Sequence, residues 1–167
     1  MNQMKWDVSK FKNVPVKATL ANLNDAEIRP FRSDETAQNR KDEETAAEQI
    51  KEAWGLTAKK LPRLYHLDFV LLDKENGIRA FAEVKTRSNT QHLYPEYMIG
   101  LSKVLQAKKL SEVTGYASLL IVQWSDATGW INLLEHQRFG WGGRKDRNDP
   151  QDLEPMAFFT ASDFKAL

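Results

Sequence analysis

The stretch that most limits the possible folds runs from Tyr116 to Trp124, where Ala117, Leu119, Leu120, Ile121 and Val122 leave almost no polar position. A strand sends alternate side chains to opposite faces, so a run that is apolar at both parities has no side to offer water. It is expected as an interior strand with cover on both faces. Helices on either side of a sheet supply that cover, which points to an α/β chain.

The rest of the sequence supplies suitable elements. Ser33-Asp34-Glu35-Thr36 carries helix-start residues, and Ala37, Ala46, Ala47, Ile50, Ala53 and Trp54 form an apolar stripe that Gly55 ends. On this helix Glu44 and Glu48 lie four apart on one face, while Glu35 and Glu43 read as ordinary solvent-facing acids. A second helix is expected over Tyr97 to Val113, burying Tyr97, Met98, Leu101, Val104, Leu105 and Leu110 and closing at Gly115. Between the helices a hairpin is expected: strand Leu64–Leu72, turn Asp73–Gly77 with its Asn76-Gly77 pair, and strand Ile78–Thr86. Lys59 to Arg63 reads as a basic connector and Ser88 to Pro95 as a loop. After the apolar strand come a turn at Asp126–Gly129, a strand Trp130–Leu134, a Gly-rich loop Phe139–Pro150, an apolar piece Met156–Thr160 and a short helix from Ser162. Residues 1–32 read as an N-terminal arm with one strand around Val14–Leu20, 33–135 as the core, and 136–167 as a tail completing the same domain.

Composition narrows the chemistry. With 167 residues, 41% of them hydrophobic, the chain can bury a substantial core, and the lack of cysteine excludes thiolate chemistry and cysteine-held metals. No run approaches the roughly 20 apolar residues of a spanning helix, and the N-terminus has no apolar signal core, so the expected location is the cytoplasm without membrane contact. A net charge of +1 gives no global pull toward nucleic acid. Binding of that kind would rest on local patches: Lys51/Lys59/Lys60/Arg63, Lys103/Lys108/Lys109 and Arg144-Lys145-Asp146-Arg147. No Gly-rich phosphate loop or His-rich metal motif is present.

The hairpin carries the candidate chemistry. Glu83 and Lys85 point to one side of their strand while Ala82 and Val84 point to the other, and Asp68 joins them if the strands pair. An ionised group loses several kcal/mol of solvation when buried without a partner, so two carboxylates and a lysine on one sheet face make a poor core. They make a good site for a hard cation such as Mg²⁺ or Mn²⁺. The plain alternative is a cross-strand salt bridge on an exposed face.

Asp68 followed by Glu83-Val84-Lys85 on the adjoining strand resembles the signature of the PD-(D/E)XK nuclease superfamily, in its Holliday-junction-resolvase-like and small phage-encoded branch. Leu67 stands where the motif's proline would be. The resemblance covers roughly Thr36 to Trp130 and implies a restriction-endonuclease-like α-β-β-β-α-β core with a mixed central sheet flanked by helices. It implies that Asp68, Glu83, the Val84 carbonyl and a first-helix glutamate hold Mg²⁺ or Mn²⁺. Counting back from Gly55 selects Glu44 for that glutamate, with Glu48 as the alternative, and counting back from Gly115 selects Lys103 as a phosphate contact. Arg87, Tyr94 and Tyr97 lie where a loop and a helix start meet a nucleic-acid backbone, although core packing is the plainer role for the tyrosines. The implied activity is metal-dependent hydrolysis of DNA, duplex or branched, by an endonuclease of recombination, replication or phage DNA processing; the rival is an inactive subunit of the same fold that only binds nucleic acid. Related folds often cut two strands as dimers, and the aromatic tail residues Trp130, Phe139, Trp141, Phe158 and Phe159 are either such a homodimer interface or the cover of the sheet.

Overall fold

The computed structural model describes residues 37–62, 65, 67–135, 137–143 and 153–167, with side chains from Lys41 onward. The expected arm, its strand, the helix start at Ser33 and the basic run 144–147 lie outside these residues. Helix α1 (Ala37–Trp54) is followed by β1 (Thr57–Lys60), β2 (Phe69–Leu72), β3 (Ile78–Thr86), β4 (Glu96–Gly100), helix α2 (Leu101–Thr114), β5 (Ala117–Gln123), β6 (Thr128–Asn132), β7 (Arg138–Gly143), β8 (Leu153–Thr160) and β9 (Lys165–Ala166). The main sheet has the order β1-β2-β3-β5-β6-β9, and β4-β8-β7 form a second, smaller sheet. Only the β3–β5 pair is parallel in the main sheet, so that sheet is mixed.

The expected two-sided cover of the apolar strand is present. Leu119 and Ile121 of β5 face α1, where Ala46 and Ile50 meet Ala80, Ala82 and Val84 of β3. Leu120 and Val122 face the other way, into a core with Phe81, the α2 residues Val104 and Ala107, and Tyr97, Ile99, Ala157 and Phe159 of the small sheet. The described residues are therefore layered as α1, main sheet, then α2 with the small sheet. None of the described helices is long and apolar enough to cross a membrane.

The hairpin turn is held by Asp73, whose Oδ1 accepts the N–H groups of Glu75 (2.9 Å) and Gly77 (2.8 Å), while Asn76 takes the left-handed conformation at φ 62°. Strand β3 matches its expected bounds. Strand β2 is shorter than expected, yet Asp68 N–H still donates to Ala82 O at 3.0 Å and carries the pairing one residue back.

Four expectations are corrected. The helix expected from Tyr97 begins at Leu101, because Tyr97 and Ile99 turn inward while Met98 faces out, a two-residue period fixed by pairing of β4 with β8. Lys59 and Lys60 belong to edge strand β1, not to a connector, since Lys60 pairs with Phe69. The start of the Gly-rich loop is strand β7, whose glycines suit a crowded face: a Cβ on Gly142 would stand 3.0 Å from Met156 Cγ and 3.3 Å from Met98 Sδ. The C-terminal helix expected from Ser162 is a single 3₁₀ turn, Ala161–Asp163, followed by β9 on the edge of the main sheet.

Candidate active site

Strand alternation sets Phe81, Glu83 and Lys85 on the α2 face of β3, and the chain has to place a glutamate where its neighbours place core. Glu83 is fully buried. Its carboxylate is compensated from two elements: Lys85 Nζ lies 2.7 Å from Oε1, and Lys103 Nζ, from the first turn of α2, donates to Oε2 at 2.9 Å. Both lysines stay about one-third exposed, at 35% and 30%, so each ammonium retains water while its partner has none. Burial pushes the Glu83 carboxyl above the usual range, Lys85 and Lys103 pull it back, and the charge of Asp68 adds to the rise.

Asp68 stands opposite Glu83 across the β2–β3 pairing. Its Oδ2 accepts the Val84 N–H at 2.8 Å, which fixes the carboxylate at the end of the sheet. Asp68, Val84, Lys85, Thr86 and Arg87 line an open cleft of about 230 Å³, and the acids that meet them there from α1 are Asp42 and Glu43. Glu44, expected as the helix ligand, is exposed and does not line the cleft, and neither does exposed Glu48. The helix explains the correction. Ala46 and Ile50 are its buried positions, and one turn before them on the same face come Asp42 and Glu43, whereas Glu44 points aside. That signal was in the sequence: spacing measured from the apolar stripe, not from the helix end. Glu43 also receives Lys60 Nζ at 2.6 Å, tying α1 to the edge strand.

Arg87 lines the cleft, donates from Nη1 to Thr86 O at 2.9 Å and lies 5.0 Å from the centroid of the Tyr97 ring. Tyr97 itself is a core residue, which corrects the expectation of a direct nucleic-acid contact: its hydroxyl is buried without a hydrogen-bond partner, and burial pushes it up to about 12. His92 is exposed on a short 3₁₀ turn, and His66 lies outside the described residues.

Comparison with known families decides what this arrangement belongs to. The phage PDDEXK endonuclease family matches residues 29–167. The chain belongs to that family. Among solved structures it is similar to the Holliday junction resolvase Hjc of the archaeal hyperthermophile Archaeoglobus fulgidus, at 13% identity and a TM-score of 0.51, over 75% of this chain and 86% of that one. At that identity the likeness concerns the fold, which is restriction-endonuclease-like. No curated protein matches the chain.

PDDEXK nucleases generally depend on a divalent metal. Among the described residues, no three acidic or histidine side chains converge into a ready-made cage. Mg²⁺ does not require one, since it keeps several waters and takes one or two carboxylates together with substrate phosphates. The donor chemistry fits: Asp68 lines the cleft, and Glu83 Oε1 is buried with the Lys85 ammonium group 2.7 Å away. Two carboxylates on neighbouring strands are the hard oxygen donors such a cation takes.

Proposed function

We propose that the chain is a metal-dependent DNA endonuclease whose reaction centre is the cleft lined by Asp68 and Lys85, with Glu83 buried against Lys85. The observation that carries this reading is Glu83, a fully buried carboxylate compensated by two lysines that stay about one-third exposed, one of which, Lys85, lines the open cleft.

Asp68 and Glu83, with the Val84 carbonyl and an acid from the first turns of α1, would hold Mg²⁺ or Mn²⁺. When bound, such an ion lowers the pKa of a coordinated water and offsets charge on the scissile phosphate. Lys85 Nζ lies 2.7 Å from the Glu83 carboxylate and lines the cleft, a place from which it can hold a phosphate oxygen as that oxygen gains charge. Lys103 reaches the same carboxylate from α2 and can exchange that contact for a phosphate oxygen. Arg87, at the mouth of the cleft, offers a further cation to the backbone of the bound strand. Cleavage of DNA fits a cytoplasmic protein acting in recombination, replication or phage DNA processing.

The test is cleavage of end-labelled DNA by wild type, Asp68→Asn and Lys85→Ala in Mg²⁺, Mn²⁺ or EDTA. The reading expects cutting that EDTA stops and that falls by at least about 100-fold in each variant. Cutting that survives EDTA or both substitutions would contradict it.

A further inference from the structure

Thr86 and Arg87 wall not only the cleft but also a larger groove of about 1080 Å³ that runs past the loop after β3 onto the outward face of the small sheet. Its lining is aromatic and sulfur-rich: Tyr94, Met98 and Phe158 offer the accessible surface, and the core residues Tyr97, Trp124 and Met156 border it without offering a free face. Tyr94 is 61% exposed and Met98 40% exposed, so large apolar surface stands open to solvent next to the reaction centre. Gly143 of β7 lines the groove, and a Cβ on the neighbouring Gly142 would stand 3.0–3.3 Å from Met156, Phe158 and Met98, so these side chains would have to shift to admit one.

The polar groups of the groove indicate which part of a nucleic acid fits there. Glu96 and Glu154 line it, and Glu96 is engaged by Arg138 through bonds of 3.2 and 2.7 Å. Carboxylates repel phosphates and accept hydrogen bonds from the amino groups on base edges. Aromatic and thioether surfaces accept base faces, which a duplex keeps stacked on one another and an unpaired strand exposes. Cation and amide groups sit at the cleft end, on Arg87 and Asn89, where the backbone would enter.

Resting on the nuclease reading above, we propose that this groove receives unpaired nucleotides of the strand whose phosphate occupies the cleft. The substrate is then DNA with a single-stranded stretch next to the cut, in preference to continuous duplex.

Equilibrium binding tests this without metal or cleavage. A forked DNA with 2-aminopurine in its single-stranded arm and a fully paired DNA of equal length are titrated in EDTA at low salt with wild type, Tyr94→Ala and Tyr94→Phe. Wild type is expected to prefer the fork and to alter the 2-aminopurine fluorescence. Tyr94→Ala should weaken fork binding about tenfold, and Tyr94→Phe, which keeps a ring to stack on, should retain it. Absence of a fork preference in wild type, or an unchanged preference in Tyr94→Ala, overturns the proposal. So does a change of oligomeric state in Tyr94→Ala, which would make the groove a protein interface. Failure of the nuclease reading is a separate result, read as absence of metal-dependent cutting while fork binding persists.

Discussion

Glu83 loses its hydration entirely on folding, and the lysines that compensate it belong to β3 and α2, so its charge links two elements across the core. Its raised pKa sets the sign of a pH effect. A group whose folded value lies above the ordinary 4.5 contributes stability below that pH and loses the contribution as pH rises through the folded value. Metal-free wild type should therefore lose stability relative to Glu83→Gln as pH rises across this window, by at most about 1.4 kcal/mol per pH unit, in urea titrations at a series of pH values. Parallel curves for the two proteins would show that Glu83 ionises without cost. The helix acid is tested by metal binding: Mn²⁺ affinity measured by calorimetry should fall about tenfold in Glu43→Gln and stay at the wild-type value in Glu44→Gln. The reverse order would restore Glu44. Asp68, Glu83 and Lys85 could be grouped from the sequence because a two-residue period does not depend on distant contacts, and the structure sets Lys103, reached by counting back from Gly115, against the same carboxylate. The cleft-lining position of Glu43 was not read because counting from Gly55 ignores which helix face Ala46 and Ile50 bury.

Elements whose shape is set locally were readable, and those set by a distant partner were not. The hairpin carries its own instruction in Asp73, Asn76 and Gly77, and α1 and α2 end on glycines at φ 67° and 76°. Strand β4 instead depends on a partner some sixty residues away: Tyr97 pairs with Phe159 and Met98 with Phe158. A Tyr-Met-Ile-Gly-Leu stretch satisfies a helical and a strand period alike, so only that pairing decides. The same holds for β7, whose glycines read as a loop until β8 lies beside them. The small sheet is part of the core, since Phe159 is fully buried among Tyr97, Ile99 and Phe164. Phe159→Ala should destabilise the protein by about 3–5 kcal/mol in denaturant titrations. A cost under about 1 kcal/mol would mean that the sheet is an appendage.

At the scale of the whole molecule, the layering explains why a chain with a net charge of +1 can address DNA locally. Burial of β5 on both faces fixes β3 beside it in parallel, and this brings the carboxyl end of β3, with Lys85, Thr86 and Arg87, to the open end of the sheet. The α/β class was legible from that one apolar run, while the second sheet was not, because its strands pair across long sequence separations. The central claim is that this end of the sheet cuts DNA internally. Its most direct test is a covalently closed circular plasmid incubated in Mg²⁺ with wild type or Glu83→Gln, since a closed circle offers no end to an exonuclease. Nicked or linear product with wild type, and none with Glu83→Gln, is the predicted result. A plasmid left intact by wild type, or cut equally by both proteins, would contradict the account.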